Sequence, residues 1–276
     1  MGLDPLKVIA ECLGEPADSM RTPATLEYRC PFIDGTCIKF NRTLGVPVPV
    51  CSIYKRGATR ATDAHAGLPV CICPKRFFET DIVEDIIREC WVGAPPSDRR
   101  IAYEVQMEKF GKVDLVIADV NEGTGSLTTF LPVELQAVDI TGSYLPVYEA
   151  LIQSTEATGR VSYGFNWANV RKRFISQLIA KGFYCHQWGT RIVAVVQENL
   201  FDQFTAHARI TESRIEDSNI VFMLYQYERA NDNEPWSFRF RRKVPTTHVS
   251  VMNSILYETP PSKAAFERKV IERLMP

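Results

Sequence analysis

From residue 79 onward the apolar positions fall into short periodic segments whose periods switch between helix and strand. Ile82, Ile86, Ile87 and Cys90 recur at helical spacing within 79–91, with Thr80 as the expected N-cap. Residues 100–108 and 113–118 alternate as strands joined by a tight turn at Phe110-Gly111, and a third strand, 129–140, follows the polar loop 119–126. Helices are expected over 145–154 and 166–181. The second places Trp167, Val170, Phe174, Leu178 and Ile179 on one face, with Arg171, Lys172 and Arg173 beside it. A strand at 191–197, a short helix near 202–208, a strand at 220–227, a hairpin return at 236–244 and an amphipathic helix at 263–274 complete the pattern. Three strands followed by two helices and a further strand predict a mixed central sheet flanked by helices, an α/β architecture.

Residues 28–78 break this pattern. They carry Pro31, Gly35, Gly45, Pro47, Pro49, Gly57, Gly67, Pro69 and Pro74 and little helical periodicity. They are expected to be irregular and to bury little surface alone. Cys30, Cys37, Cys51, Cys71 and Cys73 fall in this stretch, whereas Cys12, Cys90 and Cys185 are isolated. A bound metal is the expected staple for such a segment. The chain divides on pattern into a cysteine-bearing segment at 1–78, where a metal is the expectation, and a larger α/β unit at 79–276.

Composition changes little. A formal net charge of -1 neither supports nor excludes nucleic acid, because DNA binding needs a local basic surface and not a basic sum. No apolar run is long enough for a membrane-spanning helix, and the amino terminus lacks a secretory signal's layout. A cytoplasmic location is the expectation. In that reducing setting the cysteines are expected as metal ligands or buried apolar residues.

One constellation in the α/β unit carries chemistry. Glu134 and Gln136 lie two residues apart on the third predicted strand and share a face, with Val133, Leu135 and Ala137 on the other. Asp114 interrupts an apolar run on the preceding strand. If the two strands pair, the three side chains converge, and charges in core strands are costly unless they hold a cation or find partners. Two carboxylates and an amide oxygen are hard donors suited to Mg²⁺, and the matching chemistry is hydrolysis of a phosphodiester. Glu104 on the first strand and Glu84 on the helix before it are further candidate carboxylates. On spacing alone the opposing reading, solvent-facing acids on an edge strand, stays open.

Several elements taken together resemble the NotI-type restriction endonucleases over about residues 28–190. In the first third they are Cys30-Pro-Phe, Cys37, Pro49-Val-Cys51-Ser and Cys73-Pro-Lys-Arg-Phe77. In the middle they are Asp114, the run Val133-Glu-Leu-Gln-Ala-Val-Asp139 with Thr141-Gly-Ser-Tyr144, and Asn166-Trp-Ala-Asn169 leading to Arg173 and Gln177. The resemblance implies a bacterial type II enzyme with a PD-(D/E)xK nuclease core that cuts double-stranded DNA at GC-rich palindromes. It places Asp114, Glu134 and Gln136 in the active site, Gln136 standing where the motif ordinarily has lysine. A glutamine can orient a water but cannot carry positive charge or act as a base. The resemblance also implies a four-cysteine site for a single iron, with Cys30, Cys37, Cys51 and Cys73 as ligands. The spacing C-x6-C-x13-C-x21-C lacks the close pairs of common zinc modules, Cys71 is a rival fourth ligand, and four sulfurs suit zinc as well as iron.

DNA contacts are less sharply marked. Arg239, Arg241, Arg242 and Lys243 alternate with Phe238 and Phe240, which reads as a basic strand face over an aromatic underside or as a charged edge strand. Arg171 and Arg173 on the helix, and Arg56 and Arg60 near Cys51, are further candidates for phosphate contacts. His65, His186, His207 and His248 have no ligand spacing and read as structural or DNA-facing. A palindromic site implies a homodimer, with helices 145–154 and 166–181 as candidate interfaces. The rival functions are a PD-(D/E)xK nuclease of repair or mobile elements, and a non-enzymatic DNA-binding protein with a structural metal knuckle.

Overall fold

A computed structural model describes residues 2–42, 45–55, 65, 67–158, 163–206, 209–231, 234–256 and 262–274. Arg56, Arg60 and His207, named above, lie outside the described residues, as does the side chain of Arg171. No helix among the described residues is long and apolar enough to cross a membrane.

The N-terminal segment is more regular than its turn formers suggest. Strand β1 (Ile9–Cys12) turns at Leu13 and Gly14 into β2 (Glu15–Pro16). A short hairpin of β3 (Phe40–Asn41) and β4 (Val46–Pro47) leads to β5 (Val50–Ile53) and β6 (Val70–Cys71). β1, β2, β5 and β6 form one sheet in the order β2-β1-β5-β6. A 3-10 segment, Pro74–Glu79, then carries the chain to helix α1 (Ile82–Cys90). Its N-cap is Asp81 and not the expected Thr80. The Asp81 carboxylate accepts from the Glu84 N–H at 3.2 Å, while the Thr80 hydroxyl donates to the Phe77 carbonyl.

Next come β7 (Arg99–Gln106), β8 (Lys112–Val120) and β9 (Leu127–Gln136), the three expected strands. β9 stops at Gln136, four residues early, because the chain turns aside. Val138 N–H donates to the Cys71 carbonyl at 2.9 Å, and β10 (Ile140–Gly142) pairs with β11 (Tyr163–Phe165) across helix α2 (Leu145–Ile152). The long helix expected to end at 181 runs on: α3 (Trp167–Val170) passes through a π-helical stretch, Arg171–Ile175, into α4 (Ser176–Gln187). It stops at Gly189, whose φ of 68° suits a glycine.

Strand β12 (Ile192–Gln197) leads directly into α5 (Glu198–Thr205), so this helix starts earlier than expected. β13 (Ile220–Glu228) and β14 (Ser237–Thr246) follow, then α6 (His248–Leu256), which the pattern did not announce, and α7 (Lys263–Leu274). The central sheet has the order β14-β13-β12-β9-β8-β7. β12 runs parallel to both its neighbours and every other pairing is antiparallel, which gives the predicted mixed sheet.

Helices cover both faces of this sheet. Leu115, Ile117, Val133, Leu135, Val193 and Val195 are buried with Ile82 and Ile86 of α1. Ala194, Val196 and Phe222 are buried on the other side with Leu178 and Cys185 of α4 and Phe201 of α5. The N-terminal sheet has a third core, in which Val8, Ile9, Val50, Ile53 and Ile72 pack with Val147, Tyr148 and Ala150 of α2. The described part of residues 28–78 is therefore held by apolar burial, more than its turn formers suggest.

Candidate active site

The β8–β9 ladder ends at the pair Leu115–Val133. One step further the strands part, and the Leu135 N–H donates to Asp114 Oδ2 at 2.7 Å in place of a backbone partner. Asp114 thus stands across the fork from Glu134. Glu134 and Gln136 lie beside Ala194 and Val196 of β12, both on the α4 side of the sheet. The alternation rule put Glu134 and Gln136 on one face, and the fork brings Asp114 to them. The Gln136 amide nitrogen donates to the Ala137 carbonyl, so the amide oxygen is the end left to face a ligand.

One member of this site was missed in the sequence. Lys181 of α4 forms an ion pair with Glu134 and donates to the Lys112 carbonyl at 2.8 Å. Its side chain is 2% exposed and that of Glu134 15%. A signal was present: Lys181 lies three residues after Leu178 and four before Cys185, both buried, so it occupies the apolar stripe of the helix. Burial raises the Glu134 carboxyl to about 7; the Lys181 ammonium opposes that rise and Asp114 adds to it. A desolvated carboxyl with a charge of each sign beside it is the kind of perturbed group found at functional sites.

The other candidate acids have partners of their own. Glu104 sits on β7 between residues paired to Leu115 and Val113, hence opposite Asp114, with a φ of 51°. Its exposed carboxylate pairs with Lys112 at 3.0 Å. Glu84 is ion-paired to Arg99 on α1, the helix that covers the opposite sheet face from Glu134.

The basic run on β14 does not form one face. Phe238 is buried and Phe240 half-buried as expected, but the register slips by one residue at Arg241, between the pairs Tyr225–Phe240 and Leu224–Arg242. The bulge sends successive charges to different sides. Arg241 pairs with Glu228 at 2.5 Å, Arg242 with Glu198 of α5 at 3.2 Å, and Lys243 with Glu89 of α1 at 3.3 Å. β14 is a sheet edge, four strands from β8. Arg239 on β14 and Arg173 in the π-helical stretch are exposed.

Two histidines have structural partners. His65 bridges Asp202 and Gln226, and His248 lies against Asn219 and His186.

Cys73 is a shared neighbour of several cysteines. Cys30, Cys37 and Cys51 each interact electrostatically with it, and burial raises all three thiols. Cys71 also neighbours Cys73, but it is buried against the central-sheet core and its thiol donates to the Cys73 carbonyl. Cys12 interacts with Cys37 and is buried at the end of β1. Among the described residues, no group of three or more Cys, His, Asp or Glu side chains is gathered closely enough to hold a metal ion.

A comparison with curated proteins finds no match. A family model described as restriction endonuclease NotI matches residues 18–238. That span takes in both the cysteine segment and the Asp114–Glu134 fork, and it exceeds half the chain. The chain belongs to the NotI restriction endonuclease family.

Proposed function

We propose that this family member is a type II restriction endonuclease that cuts both strands of a palindromic, GC-rich DNA site by metal-dependent hydrolysis. The observation that carries the reading is the fork at Leu115–Val133, which sets Asp114 and Glu134 side by side beneath α4. Two carboxylates opposed by a single ammonium leave a negative balance, and with the Gln136 oxygen they form a hard donor set that fits Mg²⁺. Bound there, Mg²⁺ supplies charge neutralisation at the phosphate and lowers the pKa of a coordinated water.

The chain's own groups do the rest. Asp114 and Glu134 fix the cation's place, and the Asp114 bond to the Leu135 N–H holds its carboxylate in a defined orientation. Gln136 orients the attacking water. Water adds to phosphorus and gives up a proton to solvent, one P–O ester bond breaks, and the departing oxygen takes a proton from solvent. Double-strand cleavage needs two such sites. Each chain has one, so the working unit is a homodimer on a two-fold site.

The cysteine segment is a structural site for one iron, or zinc in its place, with Cys30, Cys37, Cys51 and Cys73 as ligands. What supports this is the chemistry of the donors and the interaction of Cys30, Cys37 and Cys51 each with Cys73, although among the described residues the four thiols are not drawn into a metal-holding cluster; no step of the cleavage reaction passes through them.

Digestion of DNA of known sequence with purified protein and Mg²⁺, followed by sequencing of the ends, tests the reading. One fixed palindrome with matched cuts is expected. Structure-specific nicks would point to repair chemistry, and no cleavage despite DNA binding would point to a non-enzymatic binder. Sedimentation with that DNA and Ca²⁺ should show two chains per duplex.

A further inference from the structure

Helix α4 brings a lysine to the place where the strand motif has none. The Lys181 ammonium joins Glu134 of β9 to the carbonyl of Lys112 on β8, and these are the strands that part at Asp114. It therefore lies in the fork, beside the carboxylates. A buried lysine is a costly way to fill a core, and a methionine would supply the same stem without the charge. The local charges do not close either. Asp114 and Glu134 exceed the single ammonium, and a divalent cation would turn that excess positive, the complement of a phosphodiester.

We propose that Lys181 supplies from α4 the fixed positive charge that Gln136 cannot supply from β9. It holds Glu134 before DNA binds and, from behind that carboxylate, offsets negative charge at the scissile phosphate afterwards. The inference rests on Asp114 and Glu134 being the active site. In this chain the ammonium at the fork comes from the helix and not from the strand.

The test uses the full chain, a duplex carrying its mapped site, and Ca²⁺ as a probe read by calorimetry. Lys181→Gln keeps a donor on the side chain, and Lys181→Met removes it. Both are expected to slow single-turnover cleavage about 100-fold or more. Ca²⁺ should bind as tightly as before or more tightly, because a competing cation has gone. Adding Gln136→Lys to Lys181→Met returns an ammonium by the other route and is expected to recover at least about tenfold in rate. Cleavage by folded Lys181→Gln within about threefold of the parent overturns the proposal. So does a double variant no faster than Lys181→Met at equal folded fraction by circular dichroism. Ca²⁺ affinity that falls in step with the rate overturns it too, as the mark of a residue that only holds the fold. If Asp114→Asn keeps both Ca²⁺ binding and cleavage, the active-site reading itself fails, whatever the Lys181 variants do.

Discussion

Among the described residues, the ion pairs of Arg76 with Glu11 and of Lys181 with Glu134 are buried, and they are finished to different degrees. Arg76, 1% exposed, donates to Glu11 at 2.9 Å and to the Trp236 carbonyl at 2.7 Å, pairs with Glu79, and lies against the rings of Phe32, Tyr227 and Phe238. Glu11 also accepts from the Ser52 hydroxyl at 2.6 Å, and Glu79 from the Phe238 N–H at 2.8 Å. The acids meet donors on several sides, and the network ties the N-terminal sheet to the edge of the central one. Lys181–Glu134 differs: the second acid beside it, Asp114, is held by a backbone N–H, Glu134 itself is partly open, and burial drives the Glu134 carboxyl up to about 7. A network of this kind that is closed stabilises one arrangement, while one left open keeps charge available for a ligand. The first is a clasp and the second a site.

The largest effect should come from the open pair. Asp114→Ala or Glu134→Ala is expected to lower cleavage by at least about 10³, since the site loses a cation ligand. DNA binding measured in Ca²⁺ and the far-UV spectrum should stay close to the parent's. Asp114→Ala also strands the Leu135 N–H, a cost of about 1–3 kcal/mol that melting will show. Near-normal cleavage by either variant would remove the assignment.

This contrast also explains what the sequence disclosed. Asp114, Glu134 and Gln136 were legible as candidates because Glu134 and Gln136 follow strand alternation and Asp114 interrupts an apolar run on the strand before, and both signals are local. Lys181 was not, because a lysine at the end of an amphipathic helix looks like any solvated one until Cys185 extends the stripe beyond it. Arg76 and Phe77 were legible only as part of a motif. Their partners Glu11, Trp236 and Phe238 lie far away in sequence, so the clasp has no local pattern. α6 escaped because Val-Ser-Val within it alternates like a strand. Its start is fixed from a distance, by the Asn219 side chain accepting from the His248 N–H at 2.8 Å.

Breaking the clasp should move stability and leave the chemistry alone. Arg76→Met strands Glu11 in the core and is expected to cost about 3–5 kcal/mol in denaturant unfolding. Cleavage per folded molecule should change little. The double variant Arg76→Met/Glu11→Met should recover much of the loss, because paired buried charges can be exchanged for apolar groups of similar volume. If the double variant is no more stable than the single, the network contributes more than pairing, and the clasp reading fails.

The cysteines should fall between these cases. Cys30→Ser, Cys37→Ser, Cys51→Ser and Cys73→Ser are each expected to lower metal content and to cost about 2–3 kcal/mol, the stabilisation that a ligand gives at roughly 100 times its Kd. Cys71→Ser and Cys185→Ser should leave the metal in place. The cost is bounded because the N-terminal sheet has an apolar core of its own with α2. Visible absorbance of the purified protein separates iron from zinc. Metal loss in Cys71→Ser with retention in Cys73→Ser would reverse the ligand choice.

The smallest expected change tests whether the position of α4 matters apart from its stability. Gly182 follows Lys181 and lies where the helix touches the start of β13. A Cβ there would come within 2.6 Å of Ile220 Cγ1, 2.7 Å of Ile220 Cδ1 and 3.3 Å of His248 Cβ. Alanine would gain about 1 kcal/mol of helix propensity, against about 1–3 kcal/mol for overpacking, so Gly182→Ala should destabilise only slightly. Ile220 is fully buried and has little room to shift, so the contact is relieved mainly by the helix lifting from the sheet, and the residue it lifts is Lys181. Cleavage should therefore fall by about tenfold or more, well beyond what the stability change explains. Gly182→Ala/Ile220→Val, which removes Cδ1, should recover part of that rate. The Arg76→Met variant should show the reverse profile, a large loss of stability and an intact rate. If Gly182→Ala loses rate only in proportion to its unfolded fraction, the seating of α4 has no part in the chemistry, and the difference between the two ion pairs lies in their immediate partners alone.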